Sequence, residues 1–307
     1  MVAMSTPLPV RGRYAPSPTS DLHIGNLRTA IAAWLCARSA GGGFSMRIED
    51  LDELRVRAAS GASERQLCDL AELGLDWDPP VVWQSQRADA YAEALAALGE
   101  RVYPCFCTRR EIAEAASAPH GDGFRPYPGT CRALSSGQRA ERARTRTPAW
   151  RVRADGEEFT VFDAHAGEVS GVVDDFVCVR NDGVPAYNFA VVVDDIAAGV
   201  TQVCRGDDLL SSAPRQAWLA TQLGATAPTY AHVSLVVNAE GKRLAKRDGD
   251  VTLADLRRQG VGPEQVTRGL LRSLGQRATT LADAVQSFEL APAMWAPVTF
   301  TPQLFAA

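Results

Sequence analysis

Two short segments more than two hundred residues apart carry side chains suited to holding phosphate. The first runs Arg13-Tyr14-Ala15-Pro16-Ser17-Pro18-Thr19-Ser20-Asp21-Leu22-His23-Ile24-Gly25-Asn26, and the second is Lys242-Arg243-Leu244-Ala245-Lys246-Arg247. His23 and Gly25 stand where a strand's loop enters a helix, and the N–H groups of a helix N-terminus attract phosphate. Gly25 lets a ligand approach the backbone where a side chain would clash. The His23 ring can donate a hydrogen bond to a phosphate oxygen as charge builds in a transition state. Each segment alone has a plainer reading: a capping histidine beside a turn glycine, and a solvated Lys/Arg loop. Together they can close on one nucleotide from opposite sides.

A second cluster is made of cysteines. Cys105, Cys107 and Cys131 are three of seven, and the odd, uneven set (with Cys36, Cys68, Cys178 and Cys204) argues against a secreted disulfide framework. Three thiolates within 27 positions point to a metal, for which zinc in a tetrahedron is the natural choice. Chemistry alone leaves the fourth ligand open, with His120 a better generic donor than Tyr127. The same stretch, Arg101 to Arg153, holds eleven arginines against four acids, a local +7 in a chain of net charge −4. Such a block is either a solvated face or a grip for a polyphosphate backbone.

The elements that must position these groups follow from periodicity. Residues 11–17 read as a strand running into a Pro-punctuated loop, 24–39 as a helix with Leu27, Ile31, Trp34 and Leu35 inward, and 44–48 as a second buried strand ending on Glu49-Asp50. Strand, loop, helix, strand opens a parallel α/β unit. Helices are expected near 59–73, 87–98 and 212–223, and strands at 175–180, 190–193 and 202–204. The stretch from Cys105 to about Gly171 is arginine-rich and weakly periodic and reads as an insertion between two halves of the sheet. Beyond Leu253 the pattern is helical. Composition is that of an ordinary soluble globular protein, with 46% apolar and 22% charged residues in 307. Neither a secretory leader nor an apolar run of membrane-spanning length is recognisable, so a cytoplasmic protein with no membrane partner is expected.

The residues around His23 carry a resemblance. Arg-Tyr-Ala-Pro-Ser-Pro-Thr before it, Arg28-Thr-Ala after it and Arg47-Ile-Glu49-Asp50 downstream resemble the catalytic core of class I glutamyl-tRNA synthetases. His23-Ile-Gly25-Asn26 is similar to the family's HIGH signature, with Asn26 departing at the last letter. Arg243-Leu-Ala-Lys246-Arg247 is similar to KMSKS, with Ala245 and Arg247 in place of its serines. The resemblance covers about residues 11–253. It implies a Rossmann-type parallel sheet with ATP, bound with Mg²⁺, at the carboxyl ends of the strands, contacted by His23, Gly25, Asn26 and Lys246; His23, Gly25 and Lys246 are its catalytic positions. It implies an L-glutamate pocket of Arg13, Glu49, Tyr187 and Arg205, completed by Ser17 and the backbone of Tyr14, Ala15 and Pro16. Bidentate arginine suits a carboxylate, and a buried arginine left unmatched would reject glutamine.

Cys105-x-Cys107…Tyr127-x3-Cys131 is similar to the zinc site of a short branch of that family, which glutamylates the queuosine base at the wobble position of tRNA(Asp). This resemblance brings in Tyr127 as fourth ligand, leaves His120 a spectator and makes the zinc structural. Only 61 residues follow Lys246, too few for an anticodon-binding domain. Expected, then, are catalytic halves at 1–100 and 175–250, a zinc-bearing insertion at 101–174 and a helical, stem-contact-like subdomain at 251–307. The expected partner is the queuosine-bearing anticodon stem-loop, met by a monomer. The rivals are a compact glutamyl-tRNA synthetase charging a 3′ end and a catalytically silent, zinc-stabilised RNA-binding paralogue.

Overall fold

The structure, a computed structural model, describes residues 9–115, 127–238, 241, 251–299 and 301–305. The first unit is β1 (Arg11–Tyr14), α1 (Ile24–Arg38) and β2 (Gly43–Ile48), with β1 and β2 parallel and Arg13 opposite Ser45. Helix α1 is buried on nearly every side, from Ile24 and Leu27 to Leu35, so its sequence carries apolar residues all round. Then come α2 (Glu53–Ala58), α3 (Ala62–Glu72), β3 (Asp78–Trp83), which adds parallel to β2, and α4 (Ala88–Ala97). The helix expected at 59–73 is α3, which starts only after Gly61 at a positive φ of 73°, and the short α2 precedes it where no helix was expected.

The next stretch forms β4 (Val102–Cys105), α5 (Arg109–Ala115), α6 (Ser136–Ala143), β5 (Ala149–Val152), β6 (Glu158–Asp163), β7 (Gly167–Val172) and β8 (Val177–Val179). Strands β4, β5 and β8 make a small antiparallel sheet. The β6–β7 hairpin instead joins a four-stranded sheet in the order β7-β6-β10-β9, with β9 (Gln202–Gly206) and β10 (Thr229–Val233). Strands β6, β10 and β9 are mutually parallel. Thr201 N–H donates to the Arg11 carbonyl at 3.0 Å, setting β9 beside β1.

Helix α7 (Tyr187–Ala197) precedes β9 and α8 (Ala213–Gln222) follows it. The strand expected at 190–193 is the middle of α7. Its Val-Val-Val run favours strand by local propensity, but Phe189 through Asp194 are all buried, and that tertiary burial overrides the preference. The short β11 (Val236–Val237) pairs with β12 (Val298–Thr299). Helices α9 (Leu253–Arg258), α10 (Pro263–Ser273) and α11 (Leu281–Ser287) lie between them in sequence. Val266, Leu270, Leu271, Leu281 and Ala284 share one core with α1. Arg28, fully buried on α1, ties this layer down through the carbonyls of Ser234, Ser273 and Ala293 and the Ser273 hydroxyl. Among the described residues no helix is long and apolar enough to cross a membrane.

Candidate active site

Across the seam of β1 and β9 the chain's strand order turns back, β3-β2-β1 on one side and β9-β10-β6-β7 on the other. An open parallel sheet leaves a crevice at the carboxyl ends of its strands at such a point. A cleft of 440 Å³ lies there, walled by the Tyr14-Ala15-Pro16-Ser17 turn after β1, by His23, Gly25 and Asn26, and by Arg205 and Gly206 ending β9.

His23 caps α1. Its Nδ1 accepts the N–H groups of Gly25 (3.0 Å) and Asn26 (3.4 Å), and Asn26 Oδ1 accepts the His23 N–H at 3.2 Å. The capping and phosphate-donor readings are therefore compatible. An accepting Nδ1 puts the neutral ring's proton on Nε2, and the ring lines the cleft. A Cβ on Gly25 would fall 2.9 Å from His23 Cε1, so glycine is what leaves room for the cap. Ile24 N–H donates to the Val251 carbonyl at 3.0 Å, and His23 bridges to Thr252. The chain following the second signature is thereby anchored beside the first; Lys246 itself, with Lys242, Arg243, Ala245 and Arg247, lies outside the described residues.

The remaining pocket residues converge behind the Tyr14–Ser17 turn. Glu49 N–H donates to the Pro16 carbonyl (2.9 Å) and Ser17 Oγ to the Glu49 carbonyl (3.1 Å). Arg13 and Arg47 share Asp195, at 3.4 and 2.6 Å, and Arg47 also holds Glu49 at 3.1 Å. Burial pushes the Glu49 carboxyl above its ordinary pKa, against the pull of Arg47 and Arg13. Asp195 stays low because Arg47 and Arg13 outweigh its burial. Tyr187 is 42% exposed, yet burial and then Glu49 raise its phenol. Arg205 differs from both other arginines. Its described partners are His232 Nε2 (3.0 Å), Gln216 Oε1 (2.6 Å) and the Leu209 carbonyl (3.1 Å), all neutral.

The structure adds Arg47, Asp195, Asp163, Gln216 and His232 to the residues read from the sequence. Asp194-Asp195 interrupting an apolar run was the available signal, since carboxylates in a buried run need cations. Asp194 is 2% exposed and takes bonds from Gln84, Arg87 and Tyr91. His232 and Gln216 carried no such mark.

The cysteine cluster forms beside β4. The sulfurs of Cys105, Cys107 and Cys131 lie within 4.8 Å of one another, with Cys107 and Cys131 at 3.5 Å. Tyr127 Oη is 3.3 Å from Cys105 Sγ and 3.8 Å from Cys107 Sγ. A zinc tetrahedron with Zn–S near 2.3 Å has edges of about 3.8 Å, so this donor set fits such a metal. Burial and then Cys105 push the Cys107 thiol up to about 12. A cation at the centre is what would let these converging groups ionise together. Phe106 N–H and Arg142 donate to Cys131 Sγ, at 3.4 and 3.5 Å. Tyr127 is the fourth donor within reach; His120 lies outside the described residues.

Residues 9–297 match the family of tRNA synthetases class I (E and Q), catalytic domain. The chain belongs to this class I synthetase family. It is 59% identical over 267 residues to a glutamyl-Q tRNA(Asp) synthetase of Nocardia farcinica, covering 86% of this chain and 84% of that one. A glutamyl-Q tRNA(Asp) synthetase of Cutibacterium acnes is 58% identical, over 86% and 76%. Among solved structures, a glutamate tRNA ligase from Elizabethkingia meningosepticum in complex with its amino acid superposes with a TM-score of 0.81 at 27% identity, over 97% of this chain and 68% of that one. The parallel sheet and its cleft are thus a class I synthetase α/β fold.

Proposed function

We propose that the chain activates L-glutamate with ATP and transfers the glutamyl group to the queuosine base at the wobble position of tRNA(Asp). The observation that carries this reading is the 59% identity, over 86% of the chain, to a protein named for that activity. An α-carboxylate oxygen of glutamate attacks the α-phosphorus of ATP, the bond to pyrophosphate breaks, and glutamyl-adenylate forms. Catalysis of this kind is positioning plus charge neutralisation. His23, through its Nε2–H, serves the phosphates from one side, with Gly25 leaving room for the close approach and Asn26 holding the cap, and Lys246 serves them from the other; Mg²⁺ bound with ATP would add positive charge there. Arg13 and Arg205 take carboxylates, Glu49 the ammonium, and Tyr187, Ser17 and the Tyr14-Ala15-Pro16 backbone close the pocket.

Zinc held by Cys105, Cys107, Tyr127 and Cys131 would be structural. It would stiffen the 101–174 insertion between catalytic halves at 1–100 and 175–250, with 251–307 as the helical subdomain. The exposed Arg142, Arg144 and Arg146 of that insertion suit the anticodon stem-loop backbone. Labelled glutamate and ATP, incubated with tRNA from cells with and without queuosine, test the reading. Label should appear only in the queuosine-bearing pool; equal labelling, or label at the 3′ end of tRNA(Glu), sinks it. A folded protein with no glutamate-dependent pyrophosphate exchange would support the silent RNA-binding alternative.

A further inference from the structure

Three parallel strands bring Asp163, His232 and Arg205 side by side. Arg205 on β9 is directly in register with His232 on β10, and Asp163 ends β6 next to it. All three are buried, at 1%, 3% and 5% exposure. Asp163 Oδ1 accepts the N–H groups of His165 and Ala166, both at 2.9 Å, and Oδ2 accepts the His232 N–H at 3.0 Å. The His232 ring Nδ1 lies 2.8 Å from the same Oδ2. A carboxylate so supplied with donors stays ionised, so Nδ1 must carry the ring proton. That leaves a lone pair on Nε2, and Arg205 Nε–H points at it over 3.0 Å.

The remaining contacts of Arg205 are equally uncharged. Gln216 Oε1 accepts from it, and the Gln216 amide is turned that way because its Nε2 donates to Asn188 Oδ1 at 2.9 Å. The Leu209 carbonyl takes a third bond, and the guanidinium lies 5.6 Å from the Tyr230 ring centroid. Among the described residues no carboxylate pairs with Arg205. One N–H on each terminal nitrogen is left over, the pair that a carboxylate takes bidentately. Arg13 on β1 and Arg47 on β2 are tied to Asp195 and Glu49.

We propose that Asp163, His232 and Gln216 are positioning residues that fix Arg205 through neutral atoms alone, keeping its positive charge for one carboxylate of the substrate. The inference rests on the reading that Arg205 takes a glutamate carboxylate. An aspartate placed directly on Arg205 would fix it equally well and cancel its charge. The imidazole moves that negative charge one residue back while passing on its orienting effect. The same logic rejects glutamine, whose amide would leave the buried charge unmatched.

Gln216→Glu separates this role from a merely structural one. The added carboxylate gives Arg205 an ion pair at an existing contact. Melting temperature should hold or rise, while KM for glutamate in pyrophosphate exchange rises about 100-fold and kcat changes little, the pattern of lost uniform binding. Asp163→Asn should raise KM at least ~10-fold, because its amide donates to Nδ1 and pushes the proton to Nε2, turning Arg205's acceptor into a donor. His232→Gln, with an acceptor for Arg205 and a donor for Asp163, should leave KM close to the wild-type value.

Acid should raise the wild-type KM, since protonation removes the Nε2 lone pair; the limb should vanish in His232→Gln. The charged and titratable groups around that ring are Asp163 on β6, Arg205 on β9, Arg13 on β1 and Tyr230 on its own strand. Nitrogen NMR of the unmodified protein gives a readout independent of any variant: His232 should be protonated at Nδ1 and bare at Nε2 near neutral pH. A proton on Nε2, or wild-type glutamate KM in a folded Gln216→Glu protein, overturns the inference while leaving the proposed function standing. A folded wild-type protein without glutamate-dependent exchange sinks both.

Discussion

The cleft and the cysteine cluster both gather polar groups out of water, but they are held in different ways. The cleft residues hang from parallel strands and from α1, within a core that also takes in α10 and α11. Their geometry is over-determined by neighbours, and each buried charge has a protein partner or, for Arg205, a neutral cradle. Among the described residues the cysteine lobe has only Tyr103, Cys105, Phe106, Tyr127 and Cys131 as its buried apolar cluster. It leans on polar ties, such as Asp174 accepting the Tyr127 N–H (3.2 Å) and Arg215 of α8 (2.7 Å), and on Asp175 beneath Arg132 and Tyr103. A site built on a large core is preorganised by packing, whereas a lobe with so little described apolar material would be finished by the cation that its donors fit.

Metal removal should break the comparison most. Small structural zinc modules draw about 10 kcal/mol or more from their metal. Chelation, or Cys131→Ser, should therefore make residues 106–146 sensitive to protease, with pyrophosphate exchange kept within roughly tenfold because distant sites couple weakly. A lobe that stays resistant after its metal is stripped would show that packing suffices there. The reverse experiment is Arg205→Gln. Losing one partner of a desolvated charge pair costs about 2–5 kcal/mol, so glutamate kcat/KM should fall on the order of 10²–10³-fold while metal content is unchanged.

Gly25→Ala is a milder cut within the cleft. Its Cβ presses on the His23 ring, so about 1 kcal/mol of cap is lost and kcat drops up to ~10²-fold by misplacement, with glutamate KM little altered. Acid should resolve the two regions by the smallest margin. His232 and the backbone amides outweigh burial and hold the Asp163 carboxyl down at about 2. Its contribution to stability is complete above the ordinary aspartate value of about 3.9 and is lost as pH falls through the lowered one. The metal lobe, which needs deprotonated thiols, should let go at higher pH. Unfolding followed by metal release and by far-ultraviolet circular dichroism would show two steps; a single shared step would merge the regions.

Local chemistry made much of this legible. A strand, a Pro-rich turn, His23, Gly25 and a helix announce a phosphate-facing N-terminus in any context, and closely spaced thiols announce a metal. Where burial overrode propensity the reading failed, as at Ala190–Val193, whose valines look like strand and sit in α7. The cleft's support was illegible for a different reason. Arg47, Asp195, Gln216, His232 and Asp163 are ordinary letters on separate elements, and nothing local says which carboxylate will face which arginine.

The sequence by itself thus determined the chemical groups: the capping histidine, the arginines and glutamate of the pocket, the thiolate donors. Only the tertiary structure decided their charge states and partners. Asp163 and His232 are 69 residues apart along the chain and His232 and Arg205 are 27 apart, yet all three become neighbours through parallel pairing of β6, β10 and β9. Strand register set Arg205 against a neutral imidazole, the packing of helix α7 set Asp195 against Arg13, and in a buried site that choice of partner fixes which arginine is left to meet a substrate's charge.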